Sequence, residues 1–264
     1  MEVKNKALER LRLETRIRTL EVQSVSDITP RMRRIRLTGA DLAGFQSPGH
    51  ADHVKVFISS DGRPLGRPLL GPTGVEFDDE VAKPFMRDYT PRYFDPAALT
   101  LDLDFVLHGD GPASGWAARA RPGDSLVIGG PRGTVRIPDA FDWHFLAGDE
   151  TALPAIGRRL EELPLGARAI AVIEIADAAE EQQFASRADV TIHWVHRNGL
   201  SPGAINLLLE ATTALKLPAG DGFAFVAAEA LNTKAIRAHL VEQRGFPIES
   251  VRAAGYWVRD EASH

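Results

Sequence analysis

The sequence contains no cysteine and only three methionines. The absence of cysteine excludes disulfides, cysteine-ligated zinc, thiolate nucleophiles and ordinary iron–sulfur clusters. Any redox chemistry must therefore use a bound organic cofactor, or a metal held by histidines and carboxylates. The sequence also lacks a run of about 18 apolar residues, which a membrane-spanning helix requires. We expect no membrane insertion.

The first 18 residues and the net charge exclude further classes of protein. The first 18 residues mix acidic and basic side chains without an apolar segment, so they do not resemble a secretory signal peptide, and we expect a cytoplasmic protein. A net charge of −5 argues against strong binding to nucleic acid. Because the first 140 residues are almost neutral and the rest are acidic, the first part is the better host for an anionic ligand.

The histidines show no spacing typical of a metal site, such as H-E-x-x-H. His193 and His196 are three residues apart in and just after a predicted strand, where side chains at that spacing point to opposite faces. We therefore predict no metal site.

Glycine and proline separate short β-rich segments in the first half of the chain. Residues 16–25, 31–37, 54–58 and 101–107 have the alternation or composition of strands. Residues 60–74 are dense in glycine and proline and are predicted to be a long loop. This pattern predicts an antiparallel barrel of six strands.

The second half alternates apolar β-rich runs with helical patterns. Such alternation predicts a parallel, doubly wound α/β domain. We therefore predict two domains, at residues 15–140 and 141–264. The predicted strands lie at residues 145–147, 169–175, 190–195, 223–227 and 251–256, and the predicted helices at 151–163 and 232–244.

Arg87-Asp88-Tyr89-Thr90 has residue types that suit a flavin. A guanidinium group matches the geometry of a pyrophosphate, and an aromatic ring can stack on the flavin ring. If Tyr89 and Thr90 share a strand, they point to opposite faces, so one could stack while the other contacts the ring edge. The alternative is that the tyrosine only packs within the barrel.

Residues 104–117 run from a strand through a glycine-rich turn into a helix that begins near Pro112. The free N–H groups at such a helix start, together with the Ser114 hydroxyl group, suit a pyrophosphate. Gly109 and Gly111 match the first two glycines of G-x-G-x-x-G, but Ser114 stands at the third position. The turn is therefore neither a Rossmann fingerprint nor a P-loop, and its glycines could serve geometry alone.

Six motifs in a fixed order carry a specific resemblance. They are RDYTPR, DFVLHGDGPASGWA, ARPGDSLVIGGPRG, AGDETALPAI, WVHR and GYWVR. Over about residues 15–260 the chain resembles the siderophore-interacting protein family. The resemblance implies a ferredoxin-reductase-like fold with an FAD-binding barrel before an NAD(P)H-binding domain, and an enzyme that uses NADPH or NADH to reduce ferric siderophores. It assigns no catalytic acid, base or nucleophile.

The resemblance also implies positions for FAD. Arg87 matches the pyrophosphate ligand, and Tyr89 and Thr90 match residues against the isoalloxazine ring. The other positions are Val106 and His108, which line the flavin, and Pro112, Ala113 and Ser114, which form the pyrophosphate loop.

For NAD(P)H, the resemblance points to the carboxyl end of the first strand of the second domain. Ala228 stands where the family usually has glycine, and its methyl group could restrict the approach of the nicotinamide. Reduced ferredoxin is therefore an alternative donor. The choice between NADPH and NADH stays open, because Arg197 could hold a 2′-phosphate whereas Asp177 could favour NADH. The NAD(P)H positions are Asp149, Glu150, Thr151, Arg197 and Glu229.

The family's basic substrate-binding positions match Lys55, Arg132 and Arg259. Many ferric siderophores are bulky anions, so cations beside an open flavin face would attract them. The alternative for each residue is an ordinary solvated charge. The rival functions are a general NAD(P)H:flavin or ferredoxin-linked reductase, and a non-catalytic protein that binds a siderophore or flavin.

Overall fold

The structure is a computed structural model that describes residues 6–60, 65, 69–71, 74–76, 83–109, 111–204 and 206–259. The chain divides into two compact units. We call residues 8–136 the barrel unit, and residues 137–259 with residues 6 and 7 the sheet unit. No helix among the described residues is long and apolar enough to cross a membrane.

Buried and exposed residues alternate along strands of the barrel unit. In its longest strand, Leu20 and Val22 are buried while the alternating residues Thr19 and Glu21 are exposed, so one face enters the core. The elements are β1 (Glu9–Arg12), β2 (Ile17–Thr29), β3 (Met32–Thr38), β4 (Val54–Ile58), β5 (Leu69–Gly71), β6 (Gly74–Glu76), β7 (Phe85–Tyr89), β8 (Pro91–Asp95), β9 (Thr100–Val106), α1 (Pro112–Arg119), β10 (Ser125–Gly129) and β11 (Gly133–Arg136).

Seven of these strands form one antiparallel sheet in the order β7-β4-β10-β2-β3-β9-β8. The two edge strands, β7 and β8, are consecutive in the chain and separated only by Thr90, so the sheet must curl until its edges approach each other. Helix α1 packs against β3, β4, β7 and β9. Strand β1 pairs with β11, and β5 pairs with β6.

The antiparallel barrel is confirmed, but the predicted number of six strands is wrong, since the sheet has seven. The segment around Thr90 contributes two strands because Pro91 lacks an N–H group and restricts the residue before it. Thr90 lies between β7 and β8 rather than on one strand with Tyr89. The predicted loop at 60–74 contains β5, while residues 61–64, 66–68 and 72–73 lie outside the described part of the chain.

The sheet unit contains five parallel strands, and all residues of the central strand, Trp143–Gly148, and of its neighbour Gly222–Glu229 are buried. Such strands suit a sheet covered on both faces. The elements are β12 (Trp143–Gly148), α2 (Leu153–Glu162), β13 (Arg168–Ile175), β14 (Asp189–His196), α3 (Leu207–Ala214), β15 (Gly222–Glu229), α4 (Ala230–Ala238) and β16 (Val251–Trp257).

The strand order β14-β13-β12-β15-β16 confirms the predicted doubly wound sheet. The chain reverses its winding direction between β12 and β15, and open α/β sheets bind ligands outside the carboxyl ends of the strands at such a point. Helices α3 and α4 pack in one hydrophobic cluster through Leu208 and Ile236. Helix α4 continues as a π-helical turn, His239–Gln243, and the chain turns away at Gly245, whose φ of 71° favours glycine.

Candidate functional site

Strand β7 presents Arg87 and Tyr89 on its inner face. Their cross-strand partners on β4 are Val56 and Val54, which belong to the barrel core. The Tyr89 ring lies 4.2 Å from the Phe105 ring, measured between centroids. Burial raises the pKa of the Tyr89 phenol, and the nearby Arg87 opposes this shift only in part. The phenol therefore stays neutral and able to donate a hydrogen bond.

The start of α1 has the features of an anion site. Its first residue is Pro112, and Gly111 before it provides no side chain to cap the free N–H groups of the first turn. The Ser114 hydroxyl oxygen accepts a hydrogen bond of 2.8 Å from the His108 backbone N–H, which fixes the turn after β9. The Ser114 hydroxyl hydrogen remains able to donate. Gly109 has a φ of 42°, which favours glycine.

A cavity of about 580 Å³ adjoins this helix start. Pro112 and Trp116 lie at its border one helical turn apart, and Phe85 lies on the same face of β7 as Arg87. The barrel unit thus provides a cation, a partly buried aromatic ring and uncapped N–H groups, which are groups that fit FAD. Of the residues predicted for FAD, Pro112 lines the cavity, whereas Arg87, Tyr89 and Ser114 lie outside its lining. The cavity is lined by Phe57, Ile58, Ser59, Ser60, Leu65, Phe85, Pro112, Trp116, Arg119, Ala120, Asp124, Ser125, Leu126 and Val127.

Of the three residues predicted for the substrate, the barrel unit holds Lys55 and Arg132. Lys55 lies on the outer face of β4, opposite Asp88 on β7, and its Nζ is 2.9 Å from the Asp88 Oδ1. The outer face of β7 is thus distinct from the inner face that carries Arg87 and Tyr89. Asp88 had no assigned role in the sequence, because the pairing of β4 with β7 is not visible there.

The loop that carries Arg132 follows β10 directly and is firmly held. Lys55 is the cross-strand partner of Gly129, the last residue of β10. The buried guanidinium group of Arg18 donates a hydrogen bond of 2.9 Å to the Gly130 carbonyl oxygen. The backbone N–H of Leu13 donates a bond of 3.1 Å to the Arg132 carbonyl oxygen. The exposed Arg132 side chain therefore extends from a fixed backbone near Lys55.

In the sheet unit, Asp149 follows β12 directly and is buried. Its carboxylate accepts hydrogen bonds of 2.9 Å from the Thr151 backbone N–H and 2.7 Å from the Trp257 Nε1. Burial raises the pKa of the Asp149 carboxyl, although its bonds to Thr151 and Trp257 act in the opposite direction. Asp149 thus joins the ends of β12 and β16 at the carboxyl edge of the sheet.

Arg197 lies beside this edge in a buried ionic cluster. Its Nη1 donates hydrogen bonds of 2.9 Å to Glu150 and 3.3 Å to Glu174, and its Nη2 contacts Glu150 as well. Burial raises the pKa of the Glu174 carboxyl, and Arg197 partly offsets this effect. We call Arg197, Glu150 and Glu174 the buried triad. Arg197 is only 5% exposed, so its guanidinium group is engaged within the protein.

Glu229 caps α4 and is also buried. Its Oε2 accepts hydrogen bonds of 2.8 Å from the Leu231 N–H and 3.0 Å from the Asn232 N–H. Ala228 packs in the hydrophobic core of the sheet unit, so its methyl group points into the core. Arg259, the third predicted substrate residue, belongs to this unit, where it donates a bond of 2.7 Å to the Gly203 carbonyl oxygen.

The antiparallel barrel and the doubly wound sheet together define a ferredoxin-reductase-like fold. The same fold occurs in a ferredoxin NADP⁺ reductase from Neisseria gonorrhoeae, which has a TM-score of 0.55 at 13% identity and is matched over 91% of this chain and 99% of that chain. At this low identity, the likeness concerns the fold alone.

Family models identify the chain more closely. Residues 21–135 match the siderophore-interacting FAD-binding domain, and residues 141–260 match the siderophore-interacting protein model. The chain belongs to the siderophore-interacting protein family. It is 40% identical to a siderophore utilization protein from T. fusca, with a TM-score of 0.89 over 97% of this chain and 98% of that chain. It is 32% identical to an NADPH-dependent ferric-chelate reductase of Escherichia coli, over 94% of this chain and 96% of the relative.

Proposed function

We propose that this protein is a flavin-dependent oxidoreductase that uses NAD(P)H to reduce ferric siderophores and release Fe(II) in the cytoplasm. The observation that carries the proposal is that the barrel unit combines residues that fit FAD with two exposed cations, Lys55 and Arg132, on and beside the neighbouring strand β4. The similarity to a ferric-chelate reductase supports the same reaction. The barrel unit is then the flavin domain and the sheet unit the nucleotide domain.

The inner face of β7 and the start of α1 would hold FAD. Arg87 provides a charge-assisted contact for the pyrophosphate, and the N–H groups of Ala113 and Ser114 provide further donors. Tyr89 is the last residue of β7 and Thr90 follows it, and both would contact the isoalloxazine ring. The other residues assigned to the flavin and its pyrophosphate loop are Val106, His108 and Pro112.

Bound FAD would accept electron pairs from NAD(P)H and pass single electrons to Fe(III). The protein would bind and orient both substrates, and needs no acid, base or nucleophile for electron transfer. Lys55, Arg132 and Arg259 would attract a ferric chelate. Hard anionic oxygens hold Fe(II) less strongly than Fe(III), so reduction itself frees the metal.

NAD(P)H would bind at the carboxyl edge of the parallel sheet, near the point where β12 and β15 meet. Asp149, Glu150 and Thr151 form the turn after β12, and Glu229 ends β15. Arg197 would position Glu150 through the buried triad and would not contact the dinucleotide directly, because its guanidinium group already pairs with Glu150 and Glu174.

One feature favours a second candidate, a ferredoxin-linked reductase. The buried triad and Asp149 bring three carboxylates and one guanidinium group to the carboxyl edge of the sheet. Negative charge there opposes the pyrophosphate and the 2′-phosphate of a dinucleotide. A reduced ferredoxin, which docks on the surface, would avoid this cost.

The visible spectrum of the purified protein tests the proposal. We expect one FAD per chain, flavin bands that bleach with NADPH or NADH, and their return when a ferric siderophore is added. Ferrozine should then trap Fe(II). Bleaching by reduced ferredoxin alone would favour the second candidate, whereas flavin bands that no donor bleaches would indicate a binding protein.

A further inference from the structure

Asp88 places a negative charge on a face that is proposed to attract anions. Its Oδ1 lies 2.9 Å from the Lys55 Nζ, and the two side chains are 49% and 44% exposed. Both point outward from the sheet, because Lys55 lies between Val54 and Val56, which point into the core, and Asp88 is the cross-strand partner of Lys55. The charged pair therefore adds no net charge to the outer face.

Asp88 is also separate from the residues assigned to the flavin. Side chains alternate along a strand, so Asp88 points to the side of β7 opposite Arg87 and Tyr89. A change at Asp88 can therefore alter the charge of the outer face without removing an assigned flavin contact.

We propose that Asp88 is a specificity-determining residue, which lowers the affinity of this face for multiply charged anionic ferric chelates relative to neutral and cationic ones. The inference rests on the proposed function, because it assumes that chelates bind near Lys55 and Arg132. Asp88 opposes the attraction of Lys55 for an anion, and it attracts a cationic chelate by the same mechanism.

The test is the Asp88→Asn variant, which keeps the size of the side chain and removes its charge. Gallium(III) chelates serve as probes, because they resemble ferric chelates in charge but do not accept electrons from the flavin. For a trianionic tris-catecholate about 8 Å away at 0.1 M salt, loss of the screened Coulomb repulsion from Asp88 predicts about threefold tighter binding. A singly charged cationic hydroxamate chelate should bind about 1.5-fold more weakly.

Affinities are measured by fluorescence titration of the flavin-loaded protein. Asp27→Asn is the matched control, because Asp27, like Asp88, is an exposed carboxylate in an ion pair: it is 58% exposed and lies 2.7 Å from the Arg33 Nε. Ile17 on β2 pairs with Gly129, which pairs with Lys55, and Asp27 lies ten residues further along β2. At about 3.3 Å per residue this is about 30 Å of strand, so the control should leave both affinities unchanged.

The outcomes separate this inference from the proposed function. If Lys55→Ala and Arg132→Ala leave the affinity for the anionic chelate unchanged, chelates do not bind here, and the inference about Asp88 fails together with the assigned substrate site. The proposed reduction itself is tested separately, by the bleaching of the flavin bands and the trapping of Fe(II). If those variants weaken binding while Asp88→Asn has no effect or also weakens it, the substrate site stands and the inference about Asp88 is overturned. Tighter anion binding together with weaker cation binding supports it.

Discussion

The two units hold their charged groups in different surroundings. In the barrel unit, Lys55 and Asp88 form a pair in which both side chains are about half exposed. In the sheet unit, the Arg197, Glu150 and Glu174 side chains of the buried triad are 5%, 11% and 4% exposed. The exposed pair is electrically neutral, whereas the buried triad has one more carboxylate than cation.

This difference in burial predicts that changes to the two groups of charges affect different properties, ligand binding in one unit and stability in the other. An exposed ion pair contributes about 0–1 kcal/mol to stability, so its charges can change with little effect on the fold. A buried charge that loses its partner costs several kcal/mol. We therefore expect changes in the buried triad to act first on the stability of the sheet unit, and changes on the outer face of the barrel unit to act on ligand binding.

The largest effect is expected for Arg197→Met. The variant leaves Glu150 and Glu174 buried without their cation, which should lower the free energy of unfolding by about 3–5 kcal/mol. Urea unfolding measures the loss, and Lys55→Met is the exposed counterpart, with an expected loss below about 1 kcal/mol. Burial already raises the pKa of Glu174, so the variant should regain stability as the pH falls and the carboxyl group is protonated. Equal losses in the two variants would contradict the comparison.

Arg87→Ala should have the next largest effect, on the affinity for FAD. Loss of a charge-assisted bond to the pyrophosphate costs about 1.5–3 kcal/mol, which is roughly tenfold or more in the dissociation constant. The ratio of flavin to protein absorbance after dialysis reports the loss. Arg136→Ala removes an exposed arginine from β11 of the same unit and should keep its flavin. Full occupancy in a folded Arg87→Ala protein would exclude Arg87 as the pyrophosphate ligand.

His144 extends the comparison to pH. Burial, with a smaller contribution from Arg159, lowers the pKa of His144 to about 3 from an ordinary value of 6.5. The unfolded chain therefore takes up a proton that the folded protein does not, and stability falls as the pH drops from about 6.5 towards 3. This histidine should remove about 2 kcal/mol between pH 6.5 and pH 5.

Urea unfolding at pH 7, 6 and 5 measures that dependence, and His144→Gln should reduce its slope by about one proton. His53, which is exposed in the barrel unit, provides the control substitution. An unchanged slope in His144→Gln would mean that the histidine accepts its proton in the folded protein too.

Most of the fold could be predicted because each half has one dominant period. The five apolar runs of the second half are the five strands of the sheet unit, and Gly245 ends the last predicted helical segment. The number of barrel strands was wrong because the segment around Thr90 forms two strands, β7 and β8, which lie at opposite edges of the sheet. Helix α3 was not predicted, since the pattern around residues 207–214 is weak.

Fewer of the contacts in the candidate site could be predicted from the sequence. A sequence motif could suggest Arg87 and Tyr89 as flavin contacts, because the two residues lie close together on one strand. The proposed role of Asp88 depends on the pairing of β4 with β7, because this pairing brings Asp88 next to Lys55, which is 33 positions away in the sequence. Glu174 contacts Arg197 from the neighbouring strand, and its burial is a property of the packed sheet. The cytoplasmic location stays a prediction.

The smallest expected effect concerns the outer face of the barrel unit. Lys55→Ala and Arg132→Ala should each raise the KM for a trianionic ferric catecholate by about threefold at 0.1 M salt, because each removes one attractive charge. Flavin content and NAD(P)H oxidation with a neutral acceptor should stay as in the wild type. The difference should vanish near 1 M salt, where the Debye length is about 3 Å. A neutral hydroxamate chelate is the control substrate, because a change in charge affects it least. Equal losses for both chelates, or losses that persist at high salt, would show that these residues support the strands rather than attract the substrate.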